Sequence, residues 1–96
     1  NVRARGEEIR AGFATFAIDA PGLIKDVRGR GLLIGIELMH ERADAVVANL
    51  REGGVLANAI HNRVIRLAPP YIITADQASE AVRVVAAAIK AVGAAP

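Results

Sequence analysis

The chemistry of this chain centres on an arginine set inside an apolar run that ends at two prolines, Val64-Ile65-Arg66-Leu67-Ala68-Pro69-Pro70. Val64, Ile65 and Leu67 suit a half-buried pleated surface, so the run is expected to form a short strand. Alternation then puts Arg66 on the side of Val64 and opposite Ile65 and Leu67. Taking an ion out of water is costly, so a guanidinium in such a strand needs an anion. Its planar fork of donors fits a carboxylate or a phosphate bidentately. The two prolines restrict the backbone behind it and push Ala68 towards an extended form, which fixes where the arginine stands. A salt bridge to an Asp or Glu of the same fold would meet the same need, and local sequence leaves both readings open.

Other residues with chemical potential lie nearby in sequence. Asn58 and His61 precede Arg66 in a strand and a loop. Each has an ordinary alternative: an edge amide that satisfies backbone groups, and an exposed turn histidine. His40 is too far away in sequence to give metal-ligand spacing with His61. Arg28-Gly29-Arg30-Gly31 suggests a phosphate cradle, but it lacks the full glycine spacing and precedes a strand rather than a helix N-terminus. A hairpin turn is the expected role. Glu37, inside an apolar strand, is a candidate partner for a buried arginine or a backbone donor, with a rim or edge carboxylate as the expected reading.

These side chains must be positioned by a helix, two strands, a helix, two strands and a final helix. The first helix is marked by Val2, Ile9, Phe13 and Phe16 near helical spacing, and Asp19-Ala20-Pro21-Gly22 ends it. Leu23 to Val27 and Leu32 to Leu38 are expected strands, with Gly35 marking close approach of another backbone. Glu41 to Glu52 is expected to be helical, with Ala43, Val46, Val47 and Leu50 on its inner stripe and Gly53-Gly54 as its stop. Val55 to Ile60 and Val64 to Leu67 are the next strands, joined by His61-Asn62-Arg63. Thr74-Ala75-Asp76-Gln77 is a capping-box pattern opening a helix that runs to about Val92, with Ala78, Val82, Val85, Ile89 and Val92 on its apolar face and Gly93 at its end. Helices segregated on a mostly antiparallel sheet of about four short strands give an α+β, two-layer domain.

Composition narrows the function. Ninety-six residues make one domain with a single core. A net charge of +2 and three aromatic residues give no footing for nucleic acid. Cysteine is absent, which removes disulfides and thiolate metal sites and is compatible with a reducing cytoplasm. No stretch approaches the roughly 18 apolar residues of a membrane span, and no signal peptide is visible. A first residue of Asn1 rather than methionine leads to the expectation of a fragment or a processed chain.

In order and spacing, Val27-Arg28-Gly29-Arg30-Gly31-Leu32-Leu33-Ile34-Gly35-Ile36-Glu37-Leu38, then Gly54-Val55-Leu56-Ala57-Asn58, then Ile65-Arg66-Leu67-Ala68-Pro69-Pro70 resemble the C-terminal small domain of class III, pyridoxal-phosphate-dependent aminotransferases. The resemblance is nearest to acetylornithine and ornithine aminotransferases and covers essentially the whole chain. It implies that residues 1–96 are the small domain of a fold-type I enzyme whose large, cofactor-binding domain lies upstream. The whole enzyme would transfer an amino group between N-acetylornithine and 2-oxoglutarate in arginine biosynthesis, as a cytoplasmic homodimer acting on amino-acid and 2-oxo-acid substrates. In that setting Arg66 would bind the substrate α-carboxylate, while Asn58 and His61 would lie near the mouth of the site. The family often carries Thr-His where this chain has Ile60-His61. Pyridoxal 5'-phosphate would be held by the full-length enzyme and not by this segment, because transamination needs a Schiff-base lysine and Lys25 and Lys90 match no such position. Residues 1–96 alone are therefore expected to be inactive, with no catalytic, cofactor or metal residue of their own. Ornithine, succinylornithine or 4-aminobutyrate as donor, and a non-catalytic carboxylate-binding module, remain as alternatives.

Overall fold

Apolar spacing decides which face each helix buries. The computed structural model describes residues 2–30, 33–52, 57–67 and 74–93. Helix α1 (Val2–Asp19) turns Ile9 and Phe13 into the core, where both are essentially inaccessible to solvent. Helix α2 (Ala43–Glu52) buries Ala43, Val46, Val47 and Leu50, the stripe expected from its spacing. Helix α3 (Ala75–Val92) opens on the capping box read from the sequence: Thr74 Oγ1 accepts from the Gln77 N–H at 3.1 Å, and Gln77 Oε1 accepts from the Thr74 N–H at 2.9 Å. It buries Ala78, Val85, Ala88 and Ile89. Val82 and Val92, assigned to that face as well, are only partly buried. Gly93 closes the helix at φ 66°, its N–H donating to the Ile89 carbonyl at 2.8 Å.

Four strands form one sheet in the order β1-β2-β4-β3: β1 (Ile24–Arg30), β2 (Leu33–Leu38), β3 (Asn58–Ile60) and β4 (Val64–Leu67). Every neighbouring pair is antiparallel. It follows that β2 and β3 run parallel, joined through α2, and that the β3–β4 hairpin places β4 in the gap between them. This split β-α-β arrangement makes the last strand a central one. Ile34, Ile36 and Leu38 of β2 and Ile65 and Leu67 of β4 point to the helices and are buried. The opposite face carries Leu33, Gly35 and Glu37 of β2 with Val64 and Arg66 of β4, and all of these retain some exposure. The result is the expected two-layer α+β domain.

Two local expectations change. Arg28, Gly29 and Arg30 are not the turn: they continue β1 and pair with Gly35, Ile34 and Leu33. Residues 31 and 32 of the expected turn lie outside the described residues. Close approach occurs at Gly29 rather than Gly35. A Cβ built on Gly29 would stand 2.4 Å from the Leu33 carbonyl oxygen, whereas one on Gly35 would meet nothing nearer than 3.7 Å. The ladder can run through Arg28-Gly29-Arg30 because Gly29 offers no side chain to the facing backbone. Near its start β1 carries an irregularity between Ile24 and Asp26. The stop at Gly53-Gly54, the strand start at Val55-Leu56 and the double proline after Ala68 lie outside the described residues.

Candidate functional site

Arg66 owes its place to the hairpin before it. His61 and Asn62 both take positive φ, 53° and 56°, and the Arg63 N–H donates to the Ile60 carbonyl at 3.0 Å. Positive φ at both central positions has the hand that suits a twisted hairpin, and asparagine tolerates it better than most residues. Asn62 also reaches out of the turn. Its Oδ1 accepts from the Asp44 N–H at 2.8 Å and its Nδ2 donates to the Glu41 carbonyl at 2.9 Å, capping α2 from a different element. Arg63 adds a bond from Nη1 to the Met39 carbonyl at 3.2 Å. The turn is thereby fastened to the β2–α2 connection, and the register of β4 with it.

That register lines up one residue from each strand. Arg28 pairs with Gly35, Gly35 with Arg66, and Arg66 with Asn58. Directly opposed residues share a face, so the row Arg28–Gly35–Arg66–Asn58 crosses the whole sheet on the side away from the helices. Arg66 is exposed there, as alternation with Ile65 and Leu67 requires. Among the described residues no carboxylate pairs with it.

The carboxylates on this face are engaged elsewhere. Arg28 Nη1 lies 3.0 Å from Glu37 Oε1 and 3.0 Å from Asp26 Oδ2, and Lys25 Nζ lies 3.9 Å from Glu37 Oε2. The hydrogen bonds that Arg28 donates to Glu37 first, and then to Asp26, hold its pKa above the ordinary value. Two acids and two bases thus balance one another beside Gly35, while Arg66 has no carboxylate partner among the described residues. Glu37 does pair with an arginine, but Arg28 is an exposed one rather than the buried partner that an apolar strand suggested.

The structure brings Asn58 to Arg66 but not His61. Asn58 is exposed directly opposite Arg66, where its amide can extend a polar contact. His61 is exposed at the hairpin tip, at the end of β4 remote from Arg66, in the turn position its alternative reading gave it. Sequence reasoning overlooked two contributors: Gly35 as the neighbour of Arg66 and Asn62 as the anchor of the hairpin. The positive-φ preference of asparagine beside His61 was the available signal for the second. Among the described residues no cluster of His, Cys, Asp or Glu could hold a metal ion, and no helix is long and apolar enough to cross a membrane.

The family profile described as aminotransferase class-III matches residues 1–89. This chain belongs to the class III aminotransferases. Acetylornithine aminotransferase 1 of Bordetella pertussis is 40% identical over 91 residues, covering 94% of this chain and 22% of that protein. The ornithine aminotransferase of an Exiguobacterium species is 53% identical over 74 residues, covering 74% of this chain and 18% of its own length. The crystal structure of an acetylornithine aminotransferase from Elizabethkingia anophelis superposes with a TM-score of 0.83 at 31% identity, over 94% of this chain and 23% of that one. The chain thus spans about a fifth of the length of the curated relatives it matches.

Class III aminotransferases depend on pyridoxal phosphate, which reacts through a lysine amine. Lys25 is an exposed residue near the start of β1 whose amine faces Glu37, and Lys90 is exposed in the last turn of α3, in the layer behind the sheet.

Proposed function

We propose that residues 1–96 form the C-terminal small domain of an acetylornithine-type aminotransferase. The whole enzyme would move an amino group between N-acetylornithine and 2-oxoglutarate in arginine biosynthesis, as a cytoplasmic homodimer with its cofactor held by the upstream domain. In it Arg66 grips the α-carboxylate of the substrate, Asn58 lends a polar contact beside it, and His61 lies towards the mouth of the site. The observation that carries this reading is the setting of Arg66: an exposed arginine on a central strand, between a glycine and an amide, with the neighbouring acids committed to Arg28 and Lys25. A guanidinium fixed in that way orients a carboxylate through two parallel hydrogen bonds, and holding a reacting group in place lowers the barrier for the step that follows.

Similarity to an acetylornithine aminotransferase over nearly the whole chain supports N-acetylornithine as donor. The higher identity to an ornithine aminotransferase over a shorter stretch supports ornithine as the second reading. Steady-state kinetics of the full-length enzyme test both. Replacing Arg66 by lysine loses the fork and keeps the charge, so Arg66→Lys is expected to lower kcat/KM for 2-oxoglutarate about 30- to 1,000-fold, about 2–4 kcal/mol. A change within threefold contradicts the role of Arg66. A kcat/KM for ornithine above that for N-acetylornithine overturns the choice of donor.

A further inference from the structure

Gly35 is the one position in the row Arg28–Gly35–Arg66–Asn58 without a side chain, and its own surroundings give no reason for a glycine. It lies in the middle of β2, and its φ is not in the left-handed region, unlike Gly22 and Gly93. A Cβ added there would sit 3.7 Å from Val64 Cγ1, 3.8 Å from the Arg28 carbonyl oxygen and 3.9 Å from Arg28 Cγ, all ordinary contacts. Gly29, six residues earlier in the same hairpin, is different: its absent side chain is demanded by the Leu33 carbonyl. A glycine inside a strand weakens it, so one that the local packing does not require marks a place where something else comes close to the backbone.

What comes close is constrained by the neighbours. Gly35 is the direct partner of both Arg28 and Arg66, so the two arginines flank it on the open face, their strands about 9–10 Å apart. Arg28 is held by Glu37 and Asp26, which makes that flank a neutral wall. Arg66 is the flank with charge to offer. We infer that Gly35 is a specificity-determining position, its bare backbone forming the floor of a slot along which a 2-oxo-acid or amino-acid carboxylate reaches Arg66. A methyl group at 35 enters the slot while meeting nothing nearer than 3.7 Å. The inference rests on the reading of Arg66 as the carboxylate-binding residue.

The test uses the full-length enzyme with Gly35→Ala, Gly35→Val and, as control, Arg66→Lys, measuring kcat, KM for 2-oxoglutarate and thermal midpoint. Each added carbon is expected to obstruct further: kcat/KM falls roughly tenfold in Gly35→Ala and about 100-fold in Gly35→Val, carried by KM. The thermal midpoint of both variants stays at or above that of the unaltered enzyme, since alanine and valine suit a strand better than glycine. If Arg66→Lys collapses kcat/KM while Gly35→Val stays within threefold of the unaltered enzyme, the slot is refuted and the carboxylate role of Arg66 stands. If Arg66→Lys is also harmless, both readings fall. A lowered thermal midpoint in Gly35→Ala overturns the inference in a different way, because the glycine then serves packing against another part of the protein.

Discussion

At Gly29 a methyl group has nowhere to go. Its carbon would lie 2.4 Å from the Leu33 carbonyl oxygen and 3.1 Å from the Ile34 Cα, both main-chain atoms that move only if the hairpin moves. Gly29→Ala is therefore expected to destabilise the fold by about 1–3 kcal/mol, seen as a lower denaturation midpoint. The same substitution at Gly35 leaves that midpoint unchanged or raised. From sequence alone the two glycines were indistinguishable in kind, and the close approach was assigned to the wrong one. The sense in which Arg66 faces was legible, because alternation with Ile65 and Leu67 is a property of four consecutive residues. Which residues stand beside it was not, because Gly35 and Asn58 are brought there by pairing between distant segments.

Element by element, local signals carried furthest where a helix supplies its own partners. The stripe of α2 and the capping box of α3 depend on residues three and four apart, and both were readable. The turn at Arg28-Gly29-Arg30-Gly31 was misplaced because glycines beside charged residues fit a turn locally, while the ladder to β2 that extends the strand is not a local property. The cap on α2 was equally hidden, since it comes from Asn62, 18 residues beyond the Asp44 N–H it accepts from. Asn62 combines a cap with a positive φ, so its two roles can be separated. Asn62→Ala loses both and should cost about 2–3 kcal/mol; Asn62→Gly restores the backbone preference and should cost about 1 kcal/mol less. Equal losses in urea unfolding would contradict the backbone part of that account.

On the outer side of α3, Glu80 and Arg83 form an i,i+3 pair in which the hydrogen bond from Arg83 holds the Glu80 carboxyl below its usual pKa. A carboxyl with a depressed pKa in the folded state adds stability above its unfolded pKa and loses it as pH falls through the folded one. Both side chains are well exposed, so the effect is small. Thermal melts should show the parent slightly above Glu80→Gln at neutral pH, the gap closing as pH drops below the carboxylate range. A gap that persists in acid would place the effect of the substitution outside the ion pair.

For the whole molecule, the sheet divides the segment into a core side sealed by helices and an open side bearing Arg66, Gly35, Asn58 and the Lys25–Asp26–Arg28–Glu37 cluster. All three helices lie behind the same face, so the polar row stays open to whatever the segment meets. The two-layer architecture was inferred from the order of elements, and it holds because the buried positions of β2 and β4 alternate with those of the open face. Arg66 is proposed to read a carboxylate. The most direct measurement compares kcat/KM for 2-oxoglutarate with that for 4-oxobutanoate, which lacks the α-carboxylate, in full-length enzyme carrying Arg66 and in Arg66→Gln. The preference for 2-oxoglutarate should fall by about 100-fold on substitution, as loss of a paired charge contact requires. A preference that survives Arg66→Gln unchanged would mean that the carboxylate is bound by another residue.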